Sequence, residues 1–138
     1  NVESPVITIS ASGANAGYVN LYNVNIWASD CSYINNTNST YVFTNYVYLK
    51  LNQSKITWMQ QGAAQPHIYP SHIMRLDIVD AGNELWDFFE NTLSPMFKKI
   101  GTNELEIQTL QKTRDTLLPK LLSGELDVSE LELDMKGN

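Results

Sequence analysis

A single cysteine, Cys31, in a chain of 138 residues excludes an internal disulfide framework and suits a reducing compartment. No apolar run approaches the roughly 20 residues that a membrane-spanning helix needs. The opening NVESPVITIS lacks the charged start and apolar block of a secretory signal, so a cytoplasmic protein without a membrane association is expected. An initiator Met is missing as well, which suggests a fragment or a processed form. There is no Gly-x-Ser-x-Gly elbow, no Walker-type Gly-Lys-Ser/Thr loop and no Asn/Asp-Pro-Pro-Tyr/Phe tetrapeptide of the adenine-methyltransferase kind. Cys31 with His67 or His72 has no local feature that would activate a thiol. His67, His72 and Asp77 match no strong metal-ligand spacing. A non-catalytic protein without its own cofactor or metal is the expectation.

Positive charge is also scarce. Nine Lys and Arg stand against fifteen Asp and Glu, for a formal net charge of −6. The imbalance is not uniform: residues 1–80 carry three basic and four acidic side chains, residues 81–138 six and eleven. A strong electrostatic grip on phosphates is therefore absent, and any contact with DNA calls for a more basic partner alongside. The Asn-x-Ser/Thr triplets at Asn35, Asn38 and Asn52 arise easily in a chain this rich in Asn and Thr.

What the chain does contain is a core: 43% of its residues are hydrophobic and 10% aromatic. Residues 1–80 are rich in β-branched and aromatic side chains. Pro5–Ser10 reads as a strand, followed by a Gly-bounded turn from Ser12 to Gly17 and a second strand over Tyr18–Tyr22. The alternation from Ile26 to Ile34 predicts a third strand. Thr44–Gln53 is ambiguous. Its Val and Tyr content favours strand, but Tyr46, Leu49 and Gln53 share one helical face with Thr44 as a cap, which points to a short helix. The segment from Gln60 to His67 reads as a loop leading to a turn or helix start at Ser71, and Met74–Val79 as a last strand.

From Asn83 the period becomes helical, with Leu85, Trp86, Phe89 and Leu93 on one stripe. Ser94-Pro95 reads as a new cap and first helical position. Met96, Ile100, Asn103, Ile107, Leu110, Arg114, Leu117 and Leu121 then alternate at four- and three-residue steps, a heptad seam with two polar interruptions. Pro119 should bend or end the helix, and Ser123-Gly124 should stop it. Such a seam needs a partner surface, either the chain's own β domain or another helix. The expected architecture is α+β. A small, mixed, β-rich domain over 1–80 precedes a long C-terminal coiled-coil-type helix over 81–124 and an acidic tail over 125–138.

The stretch from Thr109 to Leu126, TLQKTRDTLLPKLLSGEL, resembles the LRDxLLPKLLSGE helix end of type I restriction-modification specificity subunits, with Thr113 where Leu is usual. Ile7–Ser10 with Gly13 and Gly17, then Trp27–Asp30, resemble the middle of that family's target-recognition domain. Gly62–Ile68 with Pro70-Ser71 resembles its closing part. Members of the family usually have two recognition domains, each followed by a long helix, whereas this chain reads as one of each, and its domain looks like one without the family's N-terminal portion. It therefore looks like part of a full subunit, or a half-sized one that pairs with a copy of itself.

The resemblance implies sequence-specific recognition of one half of a bipartite double-stranded DNA target. It implies helix pairing through Met96, Ile100, Ile107, Leu110, Leu117 and Leu121 with a second recognition half or a copy of the chain. It also implies assembly with methyltransferase and restriction subunits, to which S-adenosylmethionine, ATP and Mg would belong. Short polar groups that grip base edges are the chemistry required. Ser12, Gly13 and Asn15 in the first loop, and Gln60, Gln61, Gln65 and His67 in the second, offer it. Lys50 and Lys55 are candidate phosphate contacts. The competing expectation is a protein-interaction and oligomerisation module without DNA contact, and a weaker one is a hydrolase with an unrecognised site.

Overall fold

A computed structural model describes residues 1–62, 64–78 and 80–126 of the protein. It divides into two compact units, residues 1–101 and 102–138. The fold is α+β, as the sequence predicts. A three-stranded antiparallel sheet comes first, and the long helix comes last.

The strands β1 (Val6–Ser10), β2 (Val19–Tyr22) and β3 (Cys31–Asn35) lie in the order β2-β1-β3. The central strand reads Val-Ile-Thr-Ile, and all four side chains are buried. A run of β-branched residues with no polar alternation suits a strand flanked on both sides and shielded on both faces. β1 pairs with β2 from Val6↔Tyr22 to Ile9↔Val19 and with β3 from Val6↔Asn35 to Ser10↔Cys31. The third strand starts at Cys31 rather than Ile26. Asp30 adopts a φ of 50°, which breaks the extended run, and Ile26 instead forms an isolated bridge with Val2.

Helices α1 (Val42–Leu51) and α2 (Gln53–Trp58) follow β3, and their buried Val42, Leu49 and Ile56 close the core with Ile7, Ile9, Ala16, Val19 and Ile68. The helical reading of the ambiguous segment is borne out, but Thr44 is not its cap. The N-cap position is Tyr41, three residues earlier, and the helix begins at Val42. A distant carboxylate does the capping: Glu90 accepts the backbone N–H of Phe43 at 3.1 Å, the N–H of Thr44 at 2.9 Å and the Thr44 hydroxyl at 2.8 Å. Two of the amides left over at a helix start thus meet a negative charge placed where the helix dipole favours it.

Met74–Val79 does not form the last strand. The short helix α3 (Pro70–Ile73) runs on as a turn, in which the N–H groups of Met74, Arg75 and Leu76 bond to Pro70, His72 and Ile73. Those local bonds consume the donors a sheet would need. Val79 lies outside the described residues.

Helix α4 (Asn83–Leu122) is one element of 40 residues. It does not restart at Ser94-Pro95, nor does Pro119 end it. Each proline forfeits one bond to the carbonyl four residues back, at Asn91 and Asp115, and both of those residues are exposed, so water can serve the freed oxygen. The helix stops at Ser123-Gly124, as the sequence predicts, where Gly124 takes a φ of 72°. Within the first unit, Tyr41 meets Trp86 at 5.7 Å between ring centres. Phe97 stacks on Phe43 at 5.3 Å and meets Tyr46 edge-on at 5.4 Å. Gly101 is the one buried residue of α4 among those described, because the Asn23 side chain occupies the space a Cβ would take. Most of the acidic tail lies outside the described residues.

Candidate nucleic-acid interface

The two loops singled out in the sequence are about fifty residues apart in the chain and adjacent in space. Ile68 donates its N–H to the carbonyl of Ala11 at 2.7 Å, and Gly13 donates to Pro66 at 3.1 Å. Ser12 faces His67 as a β-bridge. Within the second loop, Gln61 and His67 exchange two backbone bonds, at 3.0 and 2.8 Å, closing a miniature hairpin. Gly62 makes that hairpin possible. Its φ is 95°, and a Cβ would lie 2.6 Å from the Gln65 carbonyl oxygen.

Two glutamines anchor the first loop from beneath. Gln60 donates its amide to the Ala16 carbonyl at 2.7 Å. Gln53 donates to the Gly17 carbonyl at 2.8 Å while its own carbonyl accepts the N–H of Val19 at 2.9 Å. The Ser12 hydroxyl donates to the Asp30 carboxylate, which ties the loop to the turn before β3. Asn15, Gln61 and Gln65 are exposed, and half-buried His67 stacks with Tyr69 at 6.2 Å. Ser12, Gly13, Asn15, Gln61, Gln65 and His67 therefore share one paired-loop surface. Gln60 supports it with its own amide committed inward.

The two lysines part company. Lys50 donates to the Val19 carbonyl at 2.8 Å and lies 4.3 Å over the Tyr18 ring, so its charge helps hold α1 to β2. Lys55 is exposed on α2. Residues 31–76 contain no Asp or Glu, but carry Lys50, Lys55, Arg75 and both histidines. α1, α2 and the second loop thus come from an acid-free stretch of sequence, a pattern that the whole-half charge count averages away. Carboxylates reach this region from outside the stretch, Glu90 at the start of α1 and Asp30 at Ser12 of the first loop. Also missed from sequence are two exposed indoles, Trp27 at 78% and Trp58 at 90%. Alternation alone does not reveal which tryptophans lack a cover.

The six apolar seam residues Met96, Ile100, Ile107, Leu110, Leu117 and Leu121 are 39–60% exposed, so the described residues leave this stripe uncovered. Higher on α4, Leu85, Trp86, Phe89 and Leu93 line an apolar groove of about 240 Å³ with Thr44, Val47, Tyr48 and Leu51 of α1. Cys31 is half-buried, and burial, then the neighbouring Asp30 carboxylate, push its thiol above the ordinary range. Among the described residues no group of three or more His, Cys, Asp or Glu could hold a metal ion, and no helix is long and apolar enough to cross a membrane.

Over 86 residues, 62% of its length, the chain is 35% identical to the type I restriction enzyme MjaIX specificity subunit of Methanocaldococcus jannaschii. It is 29% identical, over 59% of its length, to the type I restriction enzyme HindI specificity subunit of Haemophilus influenzae. Over about 60% of its length, then, this chain is similar to type I restriction specificity subunits. The family resemblance read from the sequence is borne out by both matches. The chain spans 20% and 19% of those two proteins, about a fifth of a specificity subunit's length. No family model and no solved structure matches it.

Proposed function

We propose that residues 1–80 read one half of a bipartite DNA target in a type I restriction-modification complex, and that the helix over 81–124 joins this reader to the rest of the assembly. The observation that carries the reading is the lacing of the two loops into one surface with exposed Asn15, Gln61 and Gln65 side chains. An Asn or Gln amide offers a donor and an acceptor together, the pair that adenine presents in the major groove. Recognition rather than catalysis is its role. S-adenosylmethionine, ATP and Mg belong to methyltransferase and restriction partners, which also supply the positive charge that this chain lacks. It acts in the cytoplasm, where the DNA is. The exposed seam of α4 pairs with a second long helix, from another recognition half or a copy of the chain, and so sets the gap between half-sites. The acidic residues over 125–138 lie beyond that helix.

The test is co-expression of the full subunit with its methyltransferase partner, followed by genome-wide mapping of methylated adenines. A bipartite motif whose one half changes when residues 1–80 are exchanged supports the reading. A motif indifferent to that exchange refutes it. Replacing Gln61 and Gln65 by Ala should weaken specific binding by about 1–3 kcal/mol for each bidentate amide–base pair removed, and relax the motif at those positions. The acidic balance favours a second reading, an oligomerisation module without DNA contact. Absence of salt-dependent duplex binding by the assembled complex would select it.

A further inference from the structure

Trp58 is the most exposed large apolar side chain among the described residues. It ends α2 at 90% exposure, one helical turn after Lys55, and the two line a single shallow hollow with Ser54 and Met59. The segment carrying this pair is fixed against the paired loops. A Cβ on Gly17 would lie 3.4 Å from the Thr57 Cα and 3.2 Å from the Ile56 side chain, and Gln60, two residues beyond Trp58, donates to Ala16. The indole and the ammonium therefore stand at the border of the surface that bears Asn15, Gln61 and Gln65, on a stretch without a single carboxylate.

We propose that Trp58 and Lys55 form a contact to the sugar-phosphate wall of the bound duplex, an inference that rests on the DNA-reading role of the paired loops. The ammonium meets a phosphate and the indole packs on the adjoining deoxyribose, so the pair contributes affinity and register without reading bases. The chemistry of the pair favours nucleic acid over a protein cover. An exposed indole beside an exposed cation, on a helix with no carboxylate of its own, fits a polyanion whose sugar faces are apolar.

The experiment uses the assembled methyltransferase complex containing the full subunit, with duplexes that carry or lack the mapped motif. Trp58→Ala should weaken binding to both duplexes equally, by about tenfold, and leave the methylated motif unchanged, while Trp58→Phe recovers most of the loss. Lys55→Ala should lower the slope of log affinity against log salt by about one. The fluorescence difference between wild type and Trp58→Phe isolates this indole. It should be open to acrylamide without DNA and protected once duplex is added.

Wild-type affinity in Trp58→Ala, or an indole already shielded in the DNA-free complex, would overturn the contact, the second outcome assigning Trp58 to a protein cover. If the motif still depends on residues 1–80 while Trp58→Ala is inert, the contact alone fails. If the wild-type motif ignores residues 1–80, the recognition reading fails and the contact falls with it.

Discussion

Replacing Glu90 by Ala removes one carboxylate and strands three donors at once: the amides of Phe43 and Thr44 and the Thr44 hydroxyl. The amides stand at the start of α1, where no carbonyl of the helix itself can accept them. Removing a helix cap costs about 0.5–2 kcal/mol, and a hydrogen bond to a charged group contributes about 1.5–3 kcal/mol. Glu90 is half-buried and the three bonds go to the two oxygens of one carboxylate, so these contributions do not add. The expected destabilisation for Glu90→Ala is about 2–3 kcal/mol. Glu90→Gln keeps one acceptor oxygen but gives up the charge beside the helix dipole and turns an NH2 towards one of the amides, so it should recover only part of the loss. Thr44→Val removes only the hydroxyl bond and should cost less than Glu90→Ala. Urea unfolding of the intact chain, with tryptophan fluorescence as the signal, measures all three. A destabilisation below about 0.5 kcal/mol for Glu90→Ala would mean that water replaces the carboxylate, and that α1 does not depend on α4 for its start.

Gly101→Ala would ordinarily stabilise a helix by about 1 kcal/mol, but here the new Cβ would stand 2.6 and 2.7 Å from the Cγ and Cβ of Asn23. A net destabilisation of about 1–2 kcal/mol is expected. Adding Asn23→Gly should recover it, and an Ala variant as stable as wild type would refute the close approach. Leu110→Asp with Leu117→Asp should abolish helix pairing while the first unit stays folded, read as a fall in mass by light scattering with unchanged thermal unfolding of that unit; an unchanged mass would remove the seam. Because the Cys31 thiol is raised, less of it is thiolate at a given pH, so iodoacetamide should react more slowly than with a free cysteine and its rate profile should shift to higher pH. Asp30→Asn should bring part of that shift back, since burial is the larger cause; a profile matching free cysteine in the native protein would refute the assignment.

Where the sequence misleads about the fold, the missing information is tertiary in each case. β1 was legible because Val-Ile-Thr-Ile needs no partner to announce a buried strand. α1 was legible as a helix, but its first residue was not, since the cap sits on Glu90, 46 and 47 residues away from the amides it serves. Pro95 and Pro119 looked like breaks because a local rule charges each with a missing bond. The rule weakens when the freed carbonyl belongs to an exposed residue such as Asn91 or Asp115. Asp30 interrupts an alternating pattern through a backbone angle that alternation does not encode.

The same limit governs the candidate site. Both loops could be read as loops, and their amides recognised as base-reading chemistry, but the pairing between them is made by backbone groups that every residue possesses. Gln60 and Gln61 are neighbours with the same side chain, and one braces Ala16 while the other is exposed. Lys50 and Lys55 divide likewise, one held by Val19 and Tyr18, the other exposed beside Trp58. Composition places the right chemistry in the right segment, and only the fold sorts bracing side chains from exposed ones. For the DNA reading this sorting has a direct consequence. Exchanging Gln60 should disturb the shape of the first loop and weaken binding to every sequence, whereas exchanging Gln61 should change which sequence is preferred. Two adjacent, chemically identical residues would then give opposite signatures in one methylation map.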